Sequence, residues 1–197
     1  MSVILPSTPS PAEFEIIQVG NFVDQVPPLG GVTSRISRLG DRFQANVVYP
    51  PMKYADAMAW FAALATAMSD TVLLPIIQPE FTVGTVGTPL VNGGSQSGAT
   101  INLDGFAANY AAKAGQFFSH IGSTQRYLYM LTADKTATAG GVAASTAIWP
   151  NIQSSPADNA ALEFTTPILE GWIQGNRNSW TVNRIMAEGL AFDVLGA

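Results

Sequence analysis

The chain has no cysteine and one histidine, His120. The first absence excludes a disulfide framework, a thiolate nucleophile and Cys-ligated zinc. The second leaves one imidazole for acid–base work, and no nucleophile or orienting acid stands near it in sequence. Charge is also scarce, at 12% of residues against roughly 25% in ordinary soluble domains. Nine Lys and Arg face fourteen Asp and Glu, for a net charge of -5, which argues against a protein that grips phosphate backbones. The imbalance is spread along the chain: residues 80–166 hold three basic and five acidic side chains, and the remainder six and nine. No apolar run is long enough to span a bilayer. The most apolar stretch, Tyr54 to Met68, has about 15 residues where roughly 20 are needed, with Asp56 inside it and Asp70 just beyond. The opening MSVILPSTPSPAE has no basic residue before Arg35 and no apolar core of signal-peptide length, so synthesis in the cytoplasm without export is expected.

What is abundant is apolar surface, 47% of the 197 residues. That length suits one domain, or a small domain carrying another inserted in it. With so little charge, much of the surface must be uncharged, as on a protein covered by copies of itself. YADAMAWFAALATAM (Tyr54 to Met68) reads as a helix, stopped upstream by Pro50-Pro51 and rich in Ala, Met and Leu. Met58, Phe61, Ala62, Ala65 and Met68 share one face, while Trp60, Leu64 and Ala67 supply a second apolar face. Burial against one sheet would not cover both, so either a thick core or a neighbouring subunit must do so. Met58, Trp60, Phe61 and Leu64 are the candidate subunit contacts.

FEIIQVG (Phe14 to Gly20), SRISRL (Ser34 to Leu39), DRFQANVVY (Asp41 to Tyr49) and TVLLPIIQP (Thr71 to Pro79) read as strands. Pro75 marks the last of these as an edge or an end of pairing. From Glu80 to Thr166 short alternating runs separated by glycine turns predict a small β-barrel or sandwich, and a strand pattern returns in Ser179 to Ala197. The expected architecture is mainly β with one principal helix. An outer sandwich or barrel from residues 1–79 and 167–197 is interrupted by a small β-barrel module over 80–166.

Chemical motifs are mostly missing. NGGSQSG (Asn92 to Gly98) centres Gln96 where a nucleophile elbow needs serine, lacks the G-K-[ST] ending of a phosphate loop, and reads as a flexible turn. The Asp104 and Asp158 turns lack calcium-loop spacing. Glu13 and Glu15 share a strand face without an evident second carboxylate across a cleft. Arg35, Arg38 and Arg42 form the one basic cluster, which a solvated strand face or ion pairs explain. No catalytic, metal or cofactor-binding residue emerges. His120 alternates with Phe117 and Ser119 along AGQFFSHIG and is expected to be a strand side chain.

Two blocks carry a resemblance. SRLGDRFQANVVYPPMKYADAMAWFAALATAMSDTVLLPI (Ser37 to Ile76) is similar to the strand, helix and strand core of distal tail proteins of long-tailed, siphovirus-like phages and gene transfer agents. AGQFFSHIGSTQRYLYMLTADKTATAGGVAASTAIWPNIQSSPADNAALEF (Ala114 to Phe164) resembles a β-module common in phage structural proteins, with Gln116 where that module usually has Asp. The resemblance implies a tail-tube-like β-sandwich assembled as a homohexameric ring at the virion tail tip, between the tail tube protein and the hub, tip or baseplate proteins. DNA would pass through without specific binding, and no cofactor or membrane insertion is implied. Another tail tube or minor tail protein would share these features. A different class, a receptor- or carbohydrate-binding module, would use Tyr110, Tyr127, Tyr129 and Trp149 as stacking platforms, where alternation into a barrel core would instead bury them. A hydrolase built on scattered carboxylates is the remaining rival.

Overall fold

The computed structural model describes residues 2–79, 81–122 and 124–196. Glu80, the expected first residue of the insert, lies outside the described residues. The protein is mainly β, with one helix of fourteen residues, Tyr54–Ala67. Its strands build two six-stranded sheets and smaller ribbons.

The first sheet runs in the order Val3–Ile4, Val72–Pro75, Ile168–Ile173, Ala191–Gly196, Arg42–Val48, Glu13–Val19. All its pairs are antiparallel except that of Val3–Ile4 with Val72–Pro75. Arg42–Val48 alternates buried and half-buried residues along its whole length, so Phe43, Ala45 and Val47 enter the core as the pleat requires. The helix packs over this core through Ala57, Trp60, Leu64 and Ala67, together with Tyr49, Val72, Leu74, Phe192 and Val194. Pro75 ends its strand, as expected, but the strand is internal, with neighbours on both sides. Its register partner there is Ile168, so the chain leaves the first sheet and re-enters it at adjacent points.

The strand Ile168–Ile173 was not anticipated from the sequence, and two residues explain why. Glu170 and Gly171 interrupt the apolar pattern of ILEGWI. Glu170 is nevertheless buried, because Oε1 accepts hydrogen bonds from the hydroxyls of Ser2 (2.5 Å) and Thr71 (2.9 Å) and Oε2 accepts one from the Arg126 backbone N–H (2.8 Å). Gly171 is required by proximity: a Cβ there would collide with the Leu195 carbonyl on the next strand. Polar partners and backbone crowding, neither visible in hydropathy, convert an apparent break into a central strand.

The second sheet orders Leu162–Glu163, Phe117–Ile121, Arg126–Leu131, Ala143–Trp149, Thr100–Phe106, Gly87–Val91. An isolated bridge between Leu90 and Ala161 joins its two ends into a nearly closed barrel. Its core includes Val91, Ile101, Leu103, Phe118, Tyr129, Leu131 and Phe164. The Asn92 to Gly98 turn is pinned rather than flexible: Gln96 Nε2 donates to the Asn92 and Gly93 carbonyls, and its Oε1 accepts from Asn102 N–H. Gln116 is buried too, donating to the Tyr110 hydroxyl at 2.8 Å.

The two sheets pack on each other. Phe43 of the first meets Phe117 and Trp149 of the second edge-on, at centroid distances of 5.3 and 4.6 Å. Leu128 joins the first core. Gln153 Nε2 donates to the Asp41 carbonyl, and Phe117 N–H to Gln78 Oε1. With Glu170 reaching Arg126, polar bonds ring an aromatic joint. Glu170→Ala is expected to remove these bonds and leave their half-buried donors without this partner, a loss of about 1–3 kcal/mol. Urea denaturation of wild type and variant measures it, with Phe43→Ala, at about 3–5 kcal/mol, as the packing reference.

Candidate functional site

The helix divides its apolar residues between two destinations. Trp60 and Leu64 are buried in the protomer's own core, which corrects their assignment as subunit contacts. Trp60 also donates from Nε1 to the Thr8 carbonyl at 2.9 Å and packs against Tyr49 at 4.2 Å. The positions 57, 60, 64 and 67 follow helical spacing on the inward side. A flanking, solvent-facing side carries Tyr54 and Met58, with Met58 57% exposed and Met68 at the helix end beside them. Phe61 lies between, half-buried and stacked on Trp180 at 4.0 Å with planes 12° apart. Trp180, absent from the candidates drawn from the sequence, covers part of the outer face from the same chain.

A second apolar surface lies on the ribbon Phe22–Gln25 with Ser34–Ser37, where every strand residue is exposed. Its turn is the PPLGG segment, with Gly30 and Gly31 at positive φ. Asp24 and Arg35 pair across it (Nε to Oδ1 2.7 Å), and the Arg35 guanidinium lies 3.9 Å over the Phe22 ring. That pairing holds the Asp24 carboxyl below its ordinary value, chiefly through the hydrogen bond from Arg35, with charge attraction adding to it against a small opposing desolvation. Asn21 anchors the base, donating from its backbone to Asp41 Oδ1 and from its side chain to the Leu39 carbonyl. Around this frame stand Val23, Val26, Leu29, Val32, Ile36 and Leu39, with Leu29 99% and Val32 92% exposed. A two-stranded ribbon is marginal by itself, and this one leaves its apolar side chains in solvent. Half of it is legible in the sequence, where SRISRL reads as a strand; Phe22–Gln25 does not read as one.

Two of the three clustered arginines have intramolecular partners. Arg35 is committed to Asp24, while Arg42 donates to the carbonyls of Gly40 and Gly196.

The four aromatic candidates for glycan stacking separate. Tyr129 is buried in the barrel core, where burial pushes its phenol up to about 12, and Trp149 is spent on Phe43. Tyr129 is thereby corrected to a core packing residue, while Trp149 is half-buried and packs against the first core. Tyr110 stacks on Phe106 at 5.4 Å and accepts the Gln116 amide. Tyr127 is half-buried opposite His120, with ring planes 14° apart.

His120 is 4% exposed, and neither ring nitrogen has a hydrogen-bond partner among the described residues. Burial therefore holds its pKa below the ordinary value. A cavity of about 190 Å³ adjoins it, lined also by Tyr127, Ser154, Ser155, Ala157 and Ala160. Among the described residues no three of His, Asp and Glu gather as metal ligands, and no helix is long and apolar enough to cross a membrane. No family model matches the chain, and no curated protein matches it significantly.

The His120 shift has a sign. The unfolded chain takes up a proton near the ordinary value of about 6.5 while the folded chain resists it, so the unfolded state binds more protons below that pH. Stability is full above about pH 6.5 and falls as the pH drops below it, by at most about 1.4 kcal/mol per unit. Chemical denaturation between about pH 5 and 7 is expected to show this slope in wild type and its loss in His120→Gln. Parallel curves would refute it.

Proposed function

We propose that this protein is a non-catalytic structural component of a phage-like tail, a distal tail protein. In this reading its copies close into a ring, taken as a hexamer from the resemblance, that joins the tail tube to the tip or baseplate and lets DNA pass. The observation that carries the assembly reading is the uncovered apolar surface of the Phe22 to Ser37 ribbon and of the outer helix face around Met58. A protein that has already built two cores gains nothing from leaving Leu29, Val32 and Met58 in water unless another surface covers them. The ribbon and the helix face are different patches, so a contact joining one to the other on the next copy is heterologous, the kind that generates closed rings. The assignment to a tail rests on the sequence resemblance. The net charge of -5 and the pairing of Arg35 with Asp24 fit a conduit that does not hold its polyanion.

The assembly reading is tested by light scattering and electron microscopy of the purified protein over a range of concentrations. Rings are expected in wild type and are lost in Leu29→Asp and Met58→Asp, which stay folded because both positions are exposed. Trp60→Asp unfolds the protomer instead, by placing a charge in the core. A wild type that stays monomeric at every concentration, alone and with a tail-tube partner, overturns the ring. Gel shifts at physiological salt are expected to show no appreciable duplex-DNA affinity; tight, salt-sensitive binding would make Arg35, Arg38 and Arg42 a functional patch and sink the conduit.

A further inference from the structure

The turn between the barrel strands Gly87–Val91 and Thr100–Phe106 has no part in the assembly reading, yet it carries a chemically labile bond. Asn92 is followed by Gly93, the one Asn–Gly pair in the chain. In such a pair the glycine nitrogen can approach the asparagine side-chain carbon closely, because the second residue has no side chain to obstruct it. The Gly93 nitrogen then bonds to Asn92 Cγ, the Cγ–Nδ2 bond breaks, and ammonia leaves with the proton of the Gly93 amide. Water opens the resulting cyclic imide at either carbonyl, which leaves aspartate or isoaspartate at position 92. Asn92 is exposed, so water reaches it.

The geometry points to Asn92 as a guarded deamidation site, kept intact by a clamp of Gln96 and Asp158. Ring closure needs the peptide between Asn92 and Gly93 to turn its nitrogen toward Cγ and to give up the proton on it. Both polar groups of that peptide are held. Its carbonyl accepts from Gln96 Nε2 at 2.9 Å, and its N–H donates to Asp158 Oδ1 at 2.8 Å. The flanking groups are held as well: the Asn92 N–H donates to the Asn102 carbonyl at 2.9 Å, and the Gly93 carbonyl accepts from the same Gln96 amide at 2.7 Å. Gln96 is itself oriented, since its Oε1 accepts the Asn102 N–H. Charge works in the same direction, because a carboxylate beside the N–H disfavours the amide anion that attacks. Reaction therefore waits on local opening of the turn, and each clamp bond lost raises the open population. What the clamp protects is the seam of the barrel. The Val91 N–H donates to the Ala160 carbonyl at 3.0 Å and the Asn159 N–H to the Val91 carbonyl at 2.9 Å. Deamidation would place a carboxylate directly after Val91 and beside Asp158, where like charges repel.

The test uses the full-length protein, incubated in neutral buffer either folded or unfolded in urea and then digested. Mass spectrometry follows the peptide that holds Asn92 for the mass gain of amide-to-acid conversion. Conversion is expected to be fast in urea and slow in the folded wild type. In the folded state it is expected to be about two- to tenfold faster in Asp158→Ala and in Gln96→Ala, the factor that one lost hydrogen bond gives. Asp158 is exposed and Gln96 half-buried in a turn, and unchanged amide hydrogen exchange in the first sheet shows that any acceleration is local. Asp158→Asn, which keeps an acceptor and removes the charge, is expected to fall between wild type and Asp158→Ala. A folded wild type that converts as fast as the unfolded chain overturns the guard, and so does a folded-state rate that neither Asp158→Ala nor Gln96→Ala raises. Absence of conversion in urea overturns the site itself.

Discussion

A buried carboxylate holds the junction on which the two sheets depend. Glu170 sits in the middle of a central strand of the first sheet, yet it faces the second sheet's backbone at Arg126 and the hydroxyls of Ser2 and Thr71. Burying a carboxylate is costly unless its oxygens are served, and these bonds, strengthened by the charge, offset that cost. Because the partners come from the chain's start, from the strand after the helix and from the barrel, the group fixes the relation of three distant segments. Apolar packing at Phe43, Phe117 and Trp149 supplies area beside it but would tolerate sliding; the directional bonds do not. A small barrel can thus be a body of its own in topology and still sit at a defined place on its host sheet.

The parts of the fold written in periodicity were legible. The helix Tyr54–Ala67 and the strands Glu13–Val19 and Arg42–Val48 coincide closely with their apolar patterns, whereas Val72–Pro75 covers only the first half of Thr71 to Pro79. What escaped was set by partners distant in sequence. Ile168–Ile173 is a strand because Ser2, Thr71 and Arg126 satisfy Glu170, and because Gly171 lets the Leu195 carbonyl approach. The last 19 residues read as one strand pattern but form three strands, Thr181–Val182, Met186–Glu188 and Ala191–Gly196. Asn183 makes one of the breaks by accepting the N–H groups of Ile185 and Met186, a local side-chain turn that competes with the ladder. For the candidate surface, composition announced excess apolar area without saying where it lay. The helix was correctly read as two-faced, yet which face went inward depended on Tyr49 and Phe192, which receive Trp60 from the sheet.

Where the protein can associate follows from where its backbone is already satisfied. In the barrel, the Leu90 and Ala161 bridge and the hydrogen bonds of Val91 N–H to Ala160 and Asn159 N–H to Val91 join the ends of the sheet, and closure removes edges on which another chain could pair. The first sheet instead stops at Glu13–Val19, a seven-residue strand with no further partner among the described residues. Glu13, Glu15 and Gln18 are exposed along it, and charge on an edge is a common guard against indiscriminate strand pairing. With one sheet nearly closed and the longer edge of the other carrying charge, backbone pairing between copies is disfavoured at those two places. Contact between copies is left to side chains, and the largest uncovered ones stand on the Phe22 to Ser37 ribbon and the outer helix face. An interface of that kind is selected by shape and apolar complementarity, which allows a closed assembly to form without opening the sheet edges to uncontrolled growth.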